Sequence, residues 1–525
     1  MPGQSHKISH HATAIIAAAA AVIALAGGTG ARATTSTTWT GGGSDNNWST
    51  SGNWSGGTVP SIGYTVAFGT STKLTSNNDI ASLSIAELAF GYPAVGGPDS
   101  FTTTGNSLTI TSNGVTSGYG IYSGAATGIT ETVDNNINFS GNTNVREASS
   151  GTVVLGGTIA GTGDLGLNAG SGTIDVYGTG TETFTGSLVN VLGTVNFQSG
   201  DLTFQGTSNY NLNGTVNQSS GTVSFGDATH LATTQNAFAA YNLSGGNLDY
   251  YGWFRSAGNM NVTGGTLTVT PGTANGPSIT ATTGNGTLTV NGGNAVFNAK
   301  ALTVNGGAST NVATINLDSG TLTTPGLVFN TSSNGTAVVN SNGGTLQFSA
   351  ANTVTASTAA TWNVQTGGAV IDTNGNAVTI GQALIHDASL VGTDGGLTKN
   401  GTGTLDLAST GNTYNGNTTV NAGTLQINSA FLASTSTVSI ASGADMLLNY
   451  SSGTNDIASL ILGGTVLGPG TYGYGTQGGL YDSYFSSGGT NYSGTLTVLA
   501  APEPATLALL ALGAAGCLLP RRRKA

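Results

Sequence analysis

Short runs in which apolar and polar residues alternate recur along most of the chain, separated by glycine, asparagine and serine. Leu267-Thr268-Val269, Leu288-Thr289-Val290 and Leu405-Asp406-Leu407 show the period of two that turns apolar side chains to one face of a strand. Many runs start from a similar turn: Val262-Thr-Gly-Gly-Thr-Leu267, Asn285-Gly-Thr-Leu-Thr-Val290, Asp318-Ser-Gly-Thr-Leu322, Asn342-Gly-Gly-Thr-Leu346 and Asn421-Ala-Gly-Thr-Leu425. Related forms stand at Gly193-Thr-Val-Asn-Phe197 and Gly221-Thr-Val-Ser-Phe225. Asn, Ser or Gly sits where a turn needs positive φ, and a strand follows. The units recur at intervals mostly in the twenties to mid-thirties of residues, which suits one coil of a solenoid. The pattern predicts an all-β, right-handed parallel β-helix, with an antiparallel protein closed by Asn-Gly hairpins as the alternative.

Two stretches depart from this pattern. Ala12 to Ala26 (ATAIIAAAAAVIALA) is an apolar run preceded by Lys7 and followed by Ala31-Arg32-Ala33, the layout of a signal helix with an A-x-A cleavage site and a mature start at Thr34. Export through the Sec translocon follows. At the other end, Pro502-Glu503-Pro504 precedes an apolar segment from Ala505 to Leu519 and then Arg521-Arg522-Arg523-Lys524. That segment is about 15 residues, short of the ~20 that span a bilayer comfortably, although flanking basic side chains can snorkel. The arginines predict a cytoplasmic C-terminus and transient anchoring in the inner membrane.

Composition narrows the class. The 85 glycines in 525 residues are about twice the usual share, and charged residues at 6% fall far below the usual ~25%. Collagen is excluded, because the glycines keep no three-residue period and only 11 prolines accompany them. Evenly spread Val, Ile, Leu and Phe argue against a disordered chain. Removal of both ends would leave five basic against 21 acidic residues, net −16, a surface that repels nucleic acid. The single cysteine, Cys517, lies in the tail, so disulfides and thiolate metal sites are excluded from the exported part.

Pro502, Glu503 and Pro504 with Arg521, Arg522 and Arg523 around a hydrophobic segment resemble the PEP-CTERM sorting signal. The resemblance implies a sorting helix at 501–525, processing by an exosortase of a Gram-negative bacterium near the Pro-Glu-Pro motif, and release to the cell surface or the exopolysaccharide matrix. A second resemblance lies at 395–428, whose Leu397, Lys399, Gly401, Gly403, Leu405, Asn412, Tyr414, Gly416, Thr419, Val420, Gly423 and Leu425 are similar to the autotransporter-associated β-strand repeat. It implies a β-helical, passenger-like fold. No membrane barrel pattern follows, and the sorting signal stands where a transporter would be, so autotransport is not implied. Trp39-Thr-Gly-Gly-Gly with Trp48 and Trp54, and Leu460 to Tyr472 with Tyr492 to Val498, look like end caps that shield sheet edges. The organisation expected is a signal peptide (1–33), a Trp/Gly-rich cap (34–90), solenoid repeats (91–394), the autotransporter-associated repeat (395–428), a C-terminal β cap (429–500) and the sorting signal (501–525).

Candidate chemistry is sparse. Gly161-Thr-Gly-Asp-Leu-Gly166 satisfies GxGxxG but lacks a following helical pattern, and GxSxG, GxxxxGK[ST] and HExxH are absent. The histidines of the exported part, His230 and His386, lie far apart. Its bases are Lys73, Arg146, Arg255, Lys300 and Lys399, and Asp175, Asp249, Asp318 and Asp406 alternate with apolar neighbours on what should be solvent faces. A stacked cation-binding ladder of these acids is the functional alternative. In Tyr250-Tyr251-Gly252-Trp253-Phe254, alternation sets Tyr251 and Trp253 on one face as a candidate glycan-stacking platform, against core packing as the plainer reading. Catalytic, cofactor and metal residues are expected to be none. The function expected is a non-catalytic surface or matrix solenoid, an adhesin or scaffold in contact with exopolysaccharide. The alternative is a polysaccharide lyase or hydrolase on the same fold.

Overall fold

A computed structural model describes residues 35–91, 99–112, 118–207, 210–232, 237–256, 258–273, 275–279, 285–304, 310–329 and 335–500. The signal residues Ala31, Ala33 and Thr34, the sorting residues Pro502 to Pro504 and Arg521 to Arg523, and both expected terminal helices lie outside these. The chain winds into a parallel β-solenoid of about 15 turns, and the described residues contain only short 3-10 turns besides strands.

Three faces make up the coil. Face one starts with Ser36–Trp39, Thr65–Phe68, Glu87–Phe90, Ile121–Ser123 and Thr143–Glu147, stacked in parallel. Face two starts with Thr75–Asn78, Thr102–Gly105, Thr130–Val133 and Thr152–Leu155. The long strands Leu165–Val176, Leu188–Phe197 and Asn211–Gln218 bend around the edge between them, pairing with face one by their first halves and face two by their second. Face two then continues to Leu384–His386. Face three runs from Leu83–Ile85 to Ser459–Leu462. Face one resumes at Arg255–Ser256 and, in a second stack, runs from Asn352–Val354 to Asp445–Leu448.

Pairing is parallel throughout the coils, so the hairpin alternative fails. Antiparallel pairs occur at the C-terminal end, as between Gly470–Tyr472 and Leu496–Val498. Register gives coils of 19 residues (Tyr250 above Val269) to 33 (Leu88 above Ile121). The similar turns of the sequence do not all occupy one corner. Leu267, Leu322 and Leu346 fall in one column of face three, whereas Leu288 belongs to face two and Leu425 to face one. Gly-Thr-Leu is a corner device used at all three edges, and this explains its uneven spacing. At Gly265 φ is +66°, and an added Cβ would lie 2.2 Å from the Gly246 carbonyl oxygen of the coil before, so backbone contact between coils excludes a side chain.

Inward residues stack as like on like. Phe184, Phe204, Phe225 and Tyr250 form a column of rings with centroids 5.4, 6.1 and 6.1 Å apart. Each such ring contributes roughly 2–3 kcal/mol by burial. At the N-terminal end Trp39, Trp48 and Trp54 are buried edge-to-face, with centroids 5.1 Å (Trp39–Trp54) and 5.8 Å (Trp48–Trp54) apart. The segment bearing Trp54 bridges back to Trp39 at the edge of the first strand. These indoles are core.

Candidate functional site

Side-chain amides organise the outer side of the solenoid. On face two, Asn196 Nδ2 donates to Asp175 Oδ1 (2.7 Å), Asn217 to Asn196 (2.7 Å), Asn242 to Asn217 (2.8 Å) and Asn261 to Asn242 (2.8 Å). Thr289 takes the next position. The ladder continues as Asn316 to Thr289 Oγ1 (3.2 Å), Asn340 to Asn316 (2.8 Å) and Asn363 to Asn340 (2.8 Å). One step per coil is the strand spacing of about 4.8 Å, which is also the repeat at which stacked amides pair. The register row two residues earlier reads Thr173, Thr194, Thr215, Ala240, Asn259, Thr287, Thr314, Val338 and Thr361. All the ladder residues are half-buried. Asn242→Ala is expected to cost about 1 kcal/mol, since water replaces the lost partners only in part. An unchanged urea midpoint would show that the ladder adds nothing to stability.

The expected acid ladder does not form. Asp175 has Val154 and Asn196 beside it, Asp249 has Ser224 and Thr268, and Asp406 has Thr379 and Gln426, so carboxylates meet amides and hydroxyls and not one another. Among the described residues no group of three His, Cys, Asp or Glu side chains could hold a metal ion. The two histidines stay apart. His230 Nδ1 lies 2.9 Å from Asp227 Oδ1, and His386 Nδ1 lies 3.0 Å from Asp394 Oδ2.

Residues 397–427 hold the most elaborate polar network. Lys399 is fully buried at an inward strand position, and its Nζ donates to Gly401 O (2.8 Å), Ala422 O (2.9 Å), Asn400 O (3.1 Å) and Thr373 Oγ1 (3.2 Å). One ammonium thereby ties three successive coils together. Burial pulls its pKa down to about 8, with the Asp372 carboxylate opposing the shift. Asp394, buried, accepts the backbone N–H groups of Gly396, Asn415 and Gly416 at 2.8–2.9 Å and fixes the turn after Tyr414. Asn412 Oδ1 accepts from Leu384 N (2.9 Å), and Tyr414 Oη lies 3.0 Å from Thr418 Oγ1. Thr418 is therefore the inward threonine of the motif, and Thr419, assigned to that position from the sequence, is its half-buried neighbour. At Gly403 a Cβ would lie 1.9 Å from Asn376 O. Every motif residue just described contributes to the packing of one coil on the next.

Tyr251 and Trp253 are half-buried on the outside, and Tyr250 is inside, as alternation required. Arg255 lies over Trp253, its guanidinium carbon 5.1 Å from the ring centroid. Sequence reasoning missed the four glutamates of the described chain. Glu87, Glu131, Glu147 and Glu182 are 0%, 2%, 0% and 4% exposed, inside the N-terminal coils. Burial raises Glu131 to about 8 and Glu182 to about 7, and raises Glu147 as well. The signal was available, because in Thr130-Glu-Thr-Val and Thr181-Glu-Thr-Phe the glutamate shares the parity of the apolar residue.

Comparison with protein families gives two matches. The passenger-associated-transport-repeat model covers residues 397–427, and the PEP-CTERM protein-sorting motif covers residues 500–524. No curated protein and no solved structure matches the chain. Among the described residues, no helix is long and apolar enough to cross a membrane. The two matches mark a chain that carries a passenger-associated transport repeat within its solenoid and a PEP-CTERM sorting motif at 500–524, the signature of an exported protein sorted to the cell surface by an exosortase-type system.

Proposed function

We propose that the protein is a non-catalytic scaffold or adhesin of the exopolysaccharide matrix of a Gram-negative bacterium. The observation that carries this reading is the uncharged amide and hydroxyl ladder that extends from Asn196 to Asn363 on one face. Such a surface offers many weak, regularly spaced hydrogen-bonding groups to a polymer, and their contributions add by avidity. The disposition of charge supports it too. The ammonium groups of Lys73, Lys300 and Lys399 are engaged by carbonyl oxygens, and the glutamates are enclosed. That leaves few groups disposed for proton transfer to a bound sugar. The sorting motif delivers the chain, held transiently in the inner membrane by its tail after Sec export, to an exosortase that removes the tail.

Intact-mass analysis of the protein from native envelope, matrix and medium tests the route. The expected species begins at Thr34, ends near Pro502 to Pro504, and fractionates with the matrix; in cells lacking the exosortase it keeps its tail and stays with the inner membrane. A matrix species that retains its tail through Ala525, or a protein absent from the matrix altogether, overturns the proposal.

A further inference from the structure

Face one breaks near the middle of the solenoid and restarts there at Arg255–Ser256. The strand Asn247–Tyr251 on face three ends at Gly252, whose φ is +118° and where an added Cβ would lie 2.3 Å from Ala232 O, so no other residue fits. The chain turns sharply there, with Phe254 N–H donating to Gly252 O at 3.1 Å. It then enters Arg255–Ser256, the first strand of the resumed face. Phe254 points inward, its ring 5.3 Å from Tyr250 and 5.8 Å from Phe297. Trp253 and Tyr251 remain partly exposed outside.

Arg255 is the unusual member of this corner. It is 7% exposed, and among the described residues it has neither a carboxylate partner nor a side-chain hydrogen bond; its contact is with the Trp253 ring. Burial lowers its pKa with no acidic neighbour to offset the effect, yet a guanidinium stays charged at any physiological pH. Its guanidinium nitrogens are not enclosed, so the stem is covered while the charged head keeps access to solvent, with a ring face and no anion beside it. The contrast within the chain is sharp, because 21 acidic residues would remain after processing and none is placed against it. Arg146 also lies over a ring, that of Tyr119 at 5.7 Å, but it is half-exposed to water and has the Glu147 carboxyl nearby. In register beyond Arg255 stand the hydroxyl residues Ser278 and Thr303 of the next two coils.

We propose that Arg255, Trp253 and Tyr251 form a binding site for the carboxylate-bearing sugar of an acidic polysaccharide. The planar guanidinium matches a carboxylate bidentately, the aromatic side chains take the apolar face of the pyranose, and the hydroxyl column receives the following sugars along the solenoid axis. This assignment rests on the matrix reading and deepens it by giving the polymer an anionic character. A cationic point on a predominantly acidic chain would select such a polymer by position, not by general charge attraction.

Calorimetric titration of the processed protein with oligogalacturonate, its methyl ester and inorganic phosphate tests the site. Wild type is expected to bind the oligogalacturonate, and the ester at least tenfold more weakly. R255Q and W253A are each expected to lose at least tenfold, with R255K intermediate. The melting midpoint of R255Q should match that of wild type, since the guanidinium makes no ion pair and no side-chain hydrogen bond among the described residues; a fall would make Arg255 a structural residue and overturn the site. Equal binding by R255Q, equal binding of the ester, or competition by phosphate at matched concentration would each overturn it as well. A wild-type protein that ignores oligogalacturonate but still fractionates with the matrix overturns this site alone, whereas absence from the matrix overturns the broader reading.

Discussion

Replacing Lys399 by methionine is expected to destabilise the coils around it by about 4 kcal/mol, the largest effect of any single polar substitution in the C-terminal half. Methionine fills similar volume, so the loss is chemical. The Gly401 and Ala422 carbonyls and the Thr373 hydroxyl lose the ammonium as donor beside a fully buried stem, whereas the Asn400 carbonyl keeps Thr373 N–H at 3.1 Å. Each orphaned buried acceptor costs about 1–3 kcal/mol, partly relieved by local adjustment. Because coils contact mainly their neighbours, the damage should stay local. Hydrogen exchange followed by mass spectrometry is expected to show lost protection in peptides from Asp372 to Leu425, with coils before Leu243 unchanged. Protection retained around Lys399 in the variant would mean that the ammonium bridge does not hold the repeat together.

The N-terminal coils are expected to be more stable at pH 5 than at pH 9, with Glu131 the main cause. Its carboxyl accepts Phe101 N–H at 2.9 Å, is enclosed, and faces the Glu147 and Asp99 carboxyls, which push it further in the same direction. With a folded-state pKa of about 8 against an ordinary 4.5, the folded chain binds a proton that the unfolded chain releases between those values. The stability this proton confers is complete below about pH 4.5 and is lost as pH rises through about 8. At about 1.4 kcal/mol per unit the swing from this one group is about 3–5 kcal/mol. Glu182, raised to about 7, adds to it in the same direction. Glu131→Gln keeps an oxygen for Phe101 N–H and removes the titration. Melting midpoints measured at pH 5, 7 and 9 should fall with pH in wild type and fall much less in the variant. Parallel curves for the two proteins would place the pH dependence elsewhere.

Much of this molecule was legible in its alternating residues. Leu405-Asp406-Leu407 reads as a strand with two inward leucines and an outward acid, and that is how it packs. The glycine-led turns mark corners because a Cβ there would meet the backbone of the coil before, at 2.2 Å from an oxygen in the case of Gly265. The motif at 397–427 and the Pro-Glu-Pro tail are local in sequence, so they could be recognised without a fold. The lysine in the motif was also visible as a fixed position, but not as a bridge, since its partners come from residues 373 to 422 on three coils.

What the fold alone decided is which residue stands above which. The sequence cannot say that Asn217 follows Asn196 and precedes Asn242 in one ladder, because coil length varies from 19 to 33 residues and each inserted residue shifts the count. The same uncertainty hid the absence of a carboxylate beside Arg255 and led to the expectation that Asp175, Asp249, Asp318 and Asp406 could stack. Composition, strand parity and the two end signals are properties of neighbours along the chain, and the sequence determined them. Ladders, bridges and unmatched charges are properties of neighbours across coils, and they exist only once backbone hydrogen bonding has set the register.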